Sequence, residues 1–251
     1  MLIEIKWGST SLGTVNYNKA NSSATITVDI SQWPTVKNTV RCYMSYDGQR
    51  TVNILPFKKY QNIVKVAMIV ESPHKDEFDG NFNPLVPLNG LSGKRFDNAI
   101  TSKMSSWITS SQYNGTPATL EIKIFNPVQY QTSLHHLLNN KIPFHNPKVN
   151  IAQYGLDATL RNDVWRLLYE NQLTGCKSTF ISDLTTYSPH LIINCCTGKK
   201  YKNMPYWESL PQIKELKNKE LKTKVRNTIK NARLTNLQKP NYIEDSHPIA
   251  W

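Results

Sequence analysis

The chain has 251 residues, enough for one large α/β domain or for one domain with a small extra module. A hydrophobic content of 39%, with six Trp, twelve Tyr and seven Phe, excludes a disordered chain, and no run approaches the roughly 20 apolar residues of a membrane-spanning helix. Thirty basic against 18 acidic residues, net +12, favour a polyanionic partner, of which nucleic acid is the commonest.

Residues 1–6 alternate as a strand does and lack the apolar core of a signal peptide, so a cytoplasmic location and no membrane are expected. Residues 24–30 and 40–46 alternate with period two. Asp47-Gly48 and then residues 51–55 follow, which is a hairpin signal. Residues 1–60 therefore read as an N-terminal β segment. It is either a small module or a set of antiparallel strands appended to the main sheet. Residues 61–251 read as an α/β domain.

Residues 63–70 are an almost continuous apolar run rich in β-branched side chains, the pattern of a buried parallel strand. A loop rich in Pro, Asn and Gly follows, and residues 95–100 read as a helix. Residues 120–125 predict a second buried strand, closed by Asn126-Pro127. Residues 157–170 predict an amphipathic helix, with Leu160, Val164, Leu167 and Leu168 on one side. Residues 191–196 predict a third buried strand, and residues 242–244 a short fourth one, just before Ser246-His247-Pro248. Strands alternating with helices predict a three-layer αβα sandwich around a four-stranded parallel sheet. Ligands in such folds sit beyond the carboxyl ends of the strands.

A basic segment separates the third and fourth strands, running from Lys199-Lys200 to Arg233. Ile213, Leu216, Leu221, Val225 and Ile229 give it a ragged helical stripe. A solvated surface helix and a phosphate-contacting face explain it about equally well. The four cysteines, Cys42, Cys176, Cys195 and Cys196, form no CxxC pair, so neither a zinc ribbon nor an iron–sulfur cluster is suggested. The adjacent pair in an apolar run reads as buried thiols.

The strand ends carry the chemistry. The first delivers Glu71-Ser72-Pro73-His74 and then Glu77-Phe78; Pro84-Leu85, Gly90, Gly93 and Phe96-Asp97 come after. The second ends in Asn126 and the last in Ser246-His247-Pro248. Singly these are ordinary turn signals. Their order and spacing resemble the family 4 branch of uracil-DNA glycosylases, whose first motif is a buried strand followed by Gly-Glu-x-Pro-Gly-x-x-Glu. Glu71, Pro73 and Glu77 stand at matching positions. Val70 and His74 replace the two glycines, and Leu85 replaces a base-stacking aromatic. The likeness runs from residue 63 to residue 248 and does not cover residues 1–60.

The resemblance implies a DNA glycosylase that uses water and needs no cofactor or metal. Breaking an N-glycosidic bond puts cation character on the sugar and anion character on the base. Glu71 would stabilise the cation and orient the water, and His247 would hydrogen-bond the leaving base. Asn126 would read the edge of the flipped base, because an amide offers a donor beside an acceptor. Phe78, Phe82 and Phe125 are candidates for stacking on it. Ser72, Pro73, Ser92 and Ser246 would let backbone approach phosphates, and Lys94, Lys199 and Lys200 would supply charge. The departures in the pocket residues shift the expected substrate from strict uracil toward other damaged bases or bulky phage-modified ones, in repair or antiviral defence. A monomer acting on DNA is expected. The alternative is a non-catalytic DNA-binding module on the same fold, and a nucleoside-processing enzyme is a third reading.

Overall fold

The computed structural model describes residues 2–7, 9–18, 23–28, 31, 33, 35–81, 83–130, 165, 168–170, 174–196, 221–232 and 241–248. The fold is mixed α/β. Three N-terminal strands, β1 (Leu2–Trp7), β2 (Thr10–Asn18) and β3 (Ser23–Val28), pair antiparallel in a sheet of their own. The main sheet holds six strands: β4 (Thr39–Tyr46), β5 (Val52–Leu55), β6 (Ile63–Ile69), β7 (Ala118–Phe125), β8 (Leu191–Asn194) and β9 (Asn241–Glu244). Their order is β5-β4-β7-β6-β8-β9. The pairings β7–β6, β6–β8 and β8–β9 are parallel, and β4 pairs antiparallel with both β5 and β7.

The four expected strands are present and parallel, and β4 and β5 extend their sheet to six. The change of sequence rhythm near residue 60 marks the switch from antiparallel to parallel pairing, and the sheet continues across it. Met44, Tyr46 and Val52 share one buried cluster with Val66, Met68 and Leu120. The β4–β5 hairpin is held by Asp47, whose Oδ1 accepts the backbone N–H groups of Gln49, Arg50 and Thr51 at 2.8, 3.1 and 3.0 Å. Gly48 adopts φ +87° there, a conformation that side chains with a Cβ disfavour.

Alternation along β6 divides the core. Val66 and Met68 face a cluster that contains Phe96, Ile100, Met104 and Trp107 of α1 (Leu91–Thr109). Their spacing of four, four and three residues makes one stripe down that helix. Ala67 and Ile69 belong to the other cluster, with Phe180 and Leu184 of α2 (Cys176–Tyr187) and Leu221, Val225 and Ile229 of α3 (Leu221–Asn231). Truncating Ile100, wholly buried, to Ala would cost about 2–5 kcal/mol, because the cavity would collapse only partly.

Helix α1 begins at Leu91, four residues before the expected start, because Gly93 is part of its first turn. Of the expected helix 157–170, Trp165 and residues 168–170 are helical, and Leu160, Val164 and Leu167 lie outside the described residues. The basic segment is described only from α3 onward; Lys199, Lys200, Ile213 and Leu216 lie outside. No described helix is long and apolar enough to cross a membrane.

Candidate active site

Four parallel strands stop at one level. Phe125 of β7 pairs with Ile69 of β6, Ile69 with Asn194 of β8, and Asn194 with Glu244 of β9. The ladder continues one residue past each end. The Val70 N–H donates to the Phe125 carbonyl at 2.9 Å, Cys195 N–H to Ile69 at 2.7 Å, and Asp245 N–H to Asn194 at 3.1 Å. Asn126, Glu71, Cys196 and the turn 245–248 therefore emerge along one edge. Neighbouring strands in such a ladder are about 4.8 Å apart, so β9 lies about 10 Å from β6.

Glu71 is 1% exposed and Asn126 is fully buried. The Glu71 carbonyl accepts the Trp165 indole N–H at 2.9 Å, and that indole stacks on Tyr169 at 4.7 Å between ring centroids. The Asn126 backbone N–H donates to Asn38 Oδ1 at 2.8 Å, while the Asn38 amide donates to Asp183 at 2.8 Å. The Asn126 carboxamide itself has no hydrogen-bond partner at either end among the described residues. A buried amide without partners costs about 1–3 kcal/mol, so its retention needs a reason other than packing.

Asp245 fixes the last turn. Its carboxylate accepts the Trp107 indole N–H at 2.8 Å, the Lys103 ammonium at 3.0 and 3.1 Å, and the Ser246 backbone N–H at 2.6 Å. The Ser246 hydroxyl adds a bond at 3.2 Å, and Lys222 donates to the Asp245 carbonyl. Partial burial pushes this carboxyl up, but the Ser246 N–H, Lys103 and Trp107 outweigh it and hold it below the ordinary Asp value. His247 follows, half-buried, and Pro248 is buried.

Glu77 is also interior. Burial pushes its carboxyl up to about 7, against the opposing pull of the His74 and Leu88 N–H groups. Its second oxygen has no hydrogen-bond partner among the described residues. This carboxylate ties the loop after β6 to the start of α1, and two glycines let that loop close. A Cβ at Gly93 would fall 1.6 Å from the Leu88 carbonyl oxygen, and one at Gly90 would fall 2.5 Å from the Asp76 carboxylate.

The remaining expected residues are dispersed. Phe78 is 6% exposed within the core, and Phe125 is fully buried against Tyr187, with 5.5 Å between ring centroids. Phe82 lies outside the described residues. Pro73 is buried, Ser72 and Ser92 are half-buried, and Lys94 is exposed on the first turn of α1. Cys195 and Cys196 are buried thiols, as the apolar run implies. Burial, and for Cys196 the nearby Glu71 charge, push them above the ordinary thiol range. Two cations of α3 have acidic partners, Lys224 with Glu170 and Arg226 with Glu244, while Lys222 donates to the Asp245 carbonyl. Asp245 and Asn38 carry no local sequence signal beyond standing next to Ser246-His247 and just before a strand.

No protein-family model, curated protein or solved structure matches this chain.

Proposed function

We propose that the chain is a DNA glycosylase of the uracil-DNA glycosylase type, an αβα sandwich whose parallel strands β7-β6-β8-β9 carry the site. Asn126 reads the edge of a flipped base, Glu71 stabilises the sugar cation and orients water, and His247 hydrogen-bonds the departing base. The observation that carries this reading is the buried Asn126 carboxamide, with donor and acceptor both unpartnered among the described residues, one strand away from the buried Glu71. A base edge offers the complementary pair of groups that this amide lacks. The Asp245 cluster supports the same reading, since it pins the backbone that bears His247. Asn126 and Glu71 are shut from solvent, so a base enters only after the groups covering them move. The substrate class is a damaged or modified base in DNA, and the setting is repair or antiviral defence in the cytoplasm.

The test is incubation with DNAs that carry uracil, oxidised or alkylated bases, or bulky modified cytosines, followed by alkali. Strand breaks that disappear in Glu71→Gln and His247→Ala proteins are expected. Tight DNA binding with no abasic site on any substrate would overturn the enzyme reading and leave a binding module.

A further inference from the structure

A second surface stands apart from the strand ends. It starts at the edge strand β5 and the loop after it, Pro56-Phe57-Lys58-Lys59-Tyr60. Phe57 is 71% exposed. Tyr43 sits between two other rings, edge-on to Phe57 at 5.3 Å and tilted to Tyr60 at 5.1 Å. Lys58 Nζ lies 5.3 Å over the Tyr60 ring. The row continues inward by register: Leu55 pairs with Tyr43, Tyr43 with Glu121, and Glu121 with Lys65. Residues paired in this way present their side chains on one face of the sheet. Lys123 is two residues along the same face, and its Nζ and that of Lys65 both lie over the Tyr187 ring, at 5.3 and 5.5 Å.

Charge accompanies the rings on this surface. Elsewhere four cations have acidic partners, Lys103 with Asp245, Arg41 with Asp97, Lys224 with Glu170 and Arg226 with Glu244. Lys58, Lys59, Lys65 and Lys123 form no ion pair among the described residues. The acid of the row, Glu121, is engaged by the Tyr43 hydroxyl at 2.9 Å. An exposed ring set edge-on to Tyr43, which itself meets Tyr60, and bordered by lysines without ion pairs combines the two things an unpaired nucleic-acid strand needs. Bases stack on aromatic faces, and phosphates meet cations.

We infer that the Phe57–Tyr43–Tyr60 cluster with Lys58, Lys59, Lys65 and Lys123 is a binding platform for single-stranded nucleic acid. A duplex keeps its bases stacked on one another, so its faces are closed to Phe57. Discrimination therefore favours single strands. Binding here requires no base excision, so the platform stands whether or not the glycosylase reading does.

The experiment is fluorescence anisotropy of the full chain with a labelled mixed-sequence single-stranded 20-mer and with the matching duplex. Phe57→Ala is expected to weaken single-strand binding about 5- to 150-fold, the range for losing one stacked base, with duplex binding changed less than twofold. Phe57→Trp restores it. Lys58→Ala/Lys59→Ala lowers the slope of log affinity against log salt by about 1, as loss of one or two phosphate contacts does. Phe57 is largely in solvent, so the variants should melt like the parent, which thermal denaturation verifies. Unchanged single-strand affinity in Phe57→Ala overturns the platform. So does an equal loss on single strands and duplex. A dimer in the parent that becomes a monomer in Phe57→Ala, with nucleic-acid affinity intact, assigns the patch to self-association instead. Failure to make abasic sites on any DNA, with these binding results intact, would count against the glycosylase and not against the platform.

Discussion

Two buried asparagines end strands on either side of β6, and they are opposites. Asn194, the last residue of β8, is fully used. Its amide donates to the Tyr242 hydroxyl at 2.7 Å and to the Lys222 carbonyl at 3.2 Å, and its Oδ1 accepts the Cys196 N–H at 3.1 Å. Asn126, just past β7, donates its backbone N–H, and its carboxamide has no partner among the described residues. Residue type and depth are the same, and Asn126 stands one residue further along the register, yet one side chain knits β8 to β9 and α3 while the other makes no bond among the described residues. A buried polar group with every bond made accounts for itself as structure. One with none made is a cost that folding alone does not recover. Glu77 falls between the two, with one carboxylate oxygen bound to loop N–H groups and the other without a partner among the described residues.

The sharpest way to break this comparison is Asn126→Ala. On a substrate identified by the alkali assay, abasic-site formation should fall about 100- to 1000-fold, the scale of losing a placed hydrogen-bonding group in a reaction site. The unfolding free energy should stay within about 1 kcal/mol of the parent, because no internal bond is lost. A large loss of stability would show that Asn126 is a second Asn194. Asn194→Ala should do the reverse. Urea denaturation should record a loss of about 3–4 kcal/mol, three hydrogen bonds together with the groups they leave unsatisfied.

Glu77 gives the pH signature. Its folded carboxyl stands near 7, above its ordinary value of 4.5, so folding favours the protonated form. That stabilisation is complete below pH 4.5, fades as pH rises toward 7 and is absent above it. The change is on the order of 3 kcal/mol, and Glu77→Gln should flatten the profile of stability against pH across that window. A profile that keeps its slope in the Gln variant would place the titrating group elsewhere. The smallest effect belongs to the exposed Arg226–Glu244 pair, 3.3 Å apart. Arg226→Ala should shift stability by about 0.5 kcal/mol or less, as surface ion pairs do.

The sequence made the strands of the parallel sheet legible because burial on both faces leaves an unbroken apolar run, as at residues 63–69 and 191–194. The residues just past them were legible for the same reason, since a polar group after such a run is conspicuous. The sheet edge was harder. Strand β4 alternates in a way that suits a separate hairpin as well as an added edge strand, and only long-range pairing with β7 decides between them. Strand β2 was missed altogether, for its nine residues mix Gly, Ser, Thr and Asn and follow no clean alternation. The supports of the site were out of reach too. Asn38 meets Asn126 across 88 positions and Trp107 meets Asp245 across 138, distances over which no local pattern extends. Of the rings read as stacking candidates, Phe78 and Phe125 are buried, because a Phe beside a buried strand serves the core first.

Gly93 bears on how any survey of mutants will look. Every residue larger than glycine collides there with the Leu88 carbonyl, whose own residue is held at φ +59°. A screen for lost function would return position 93 as prominently as any reacting group, through the collision with the loop before α1. Heat-sensitive alleles should collect at it, with defects that follow growth temperature and are relieved by mutations that relax the loop before α1. Alleles at Asn126 should be equally inactive at every temperature.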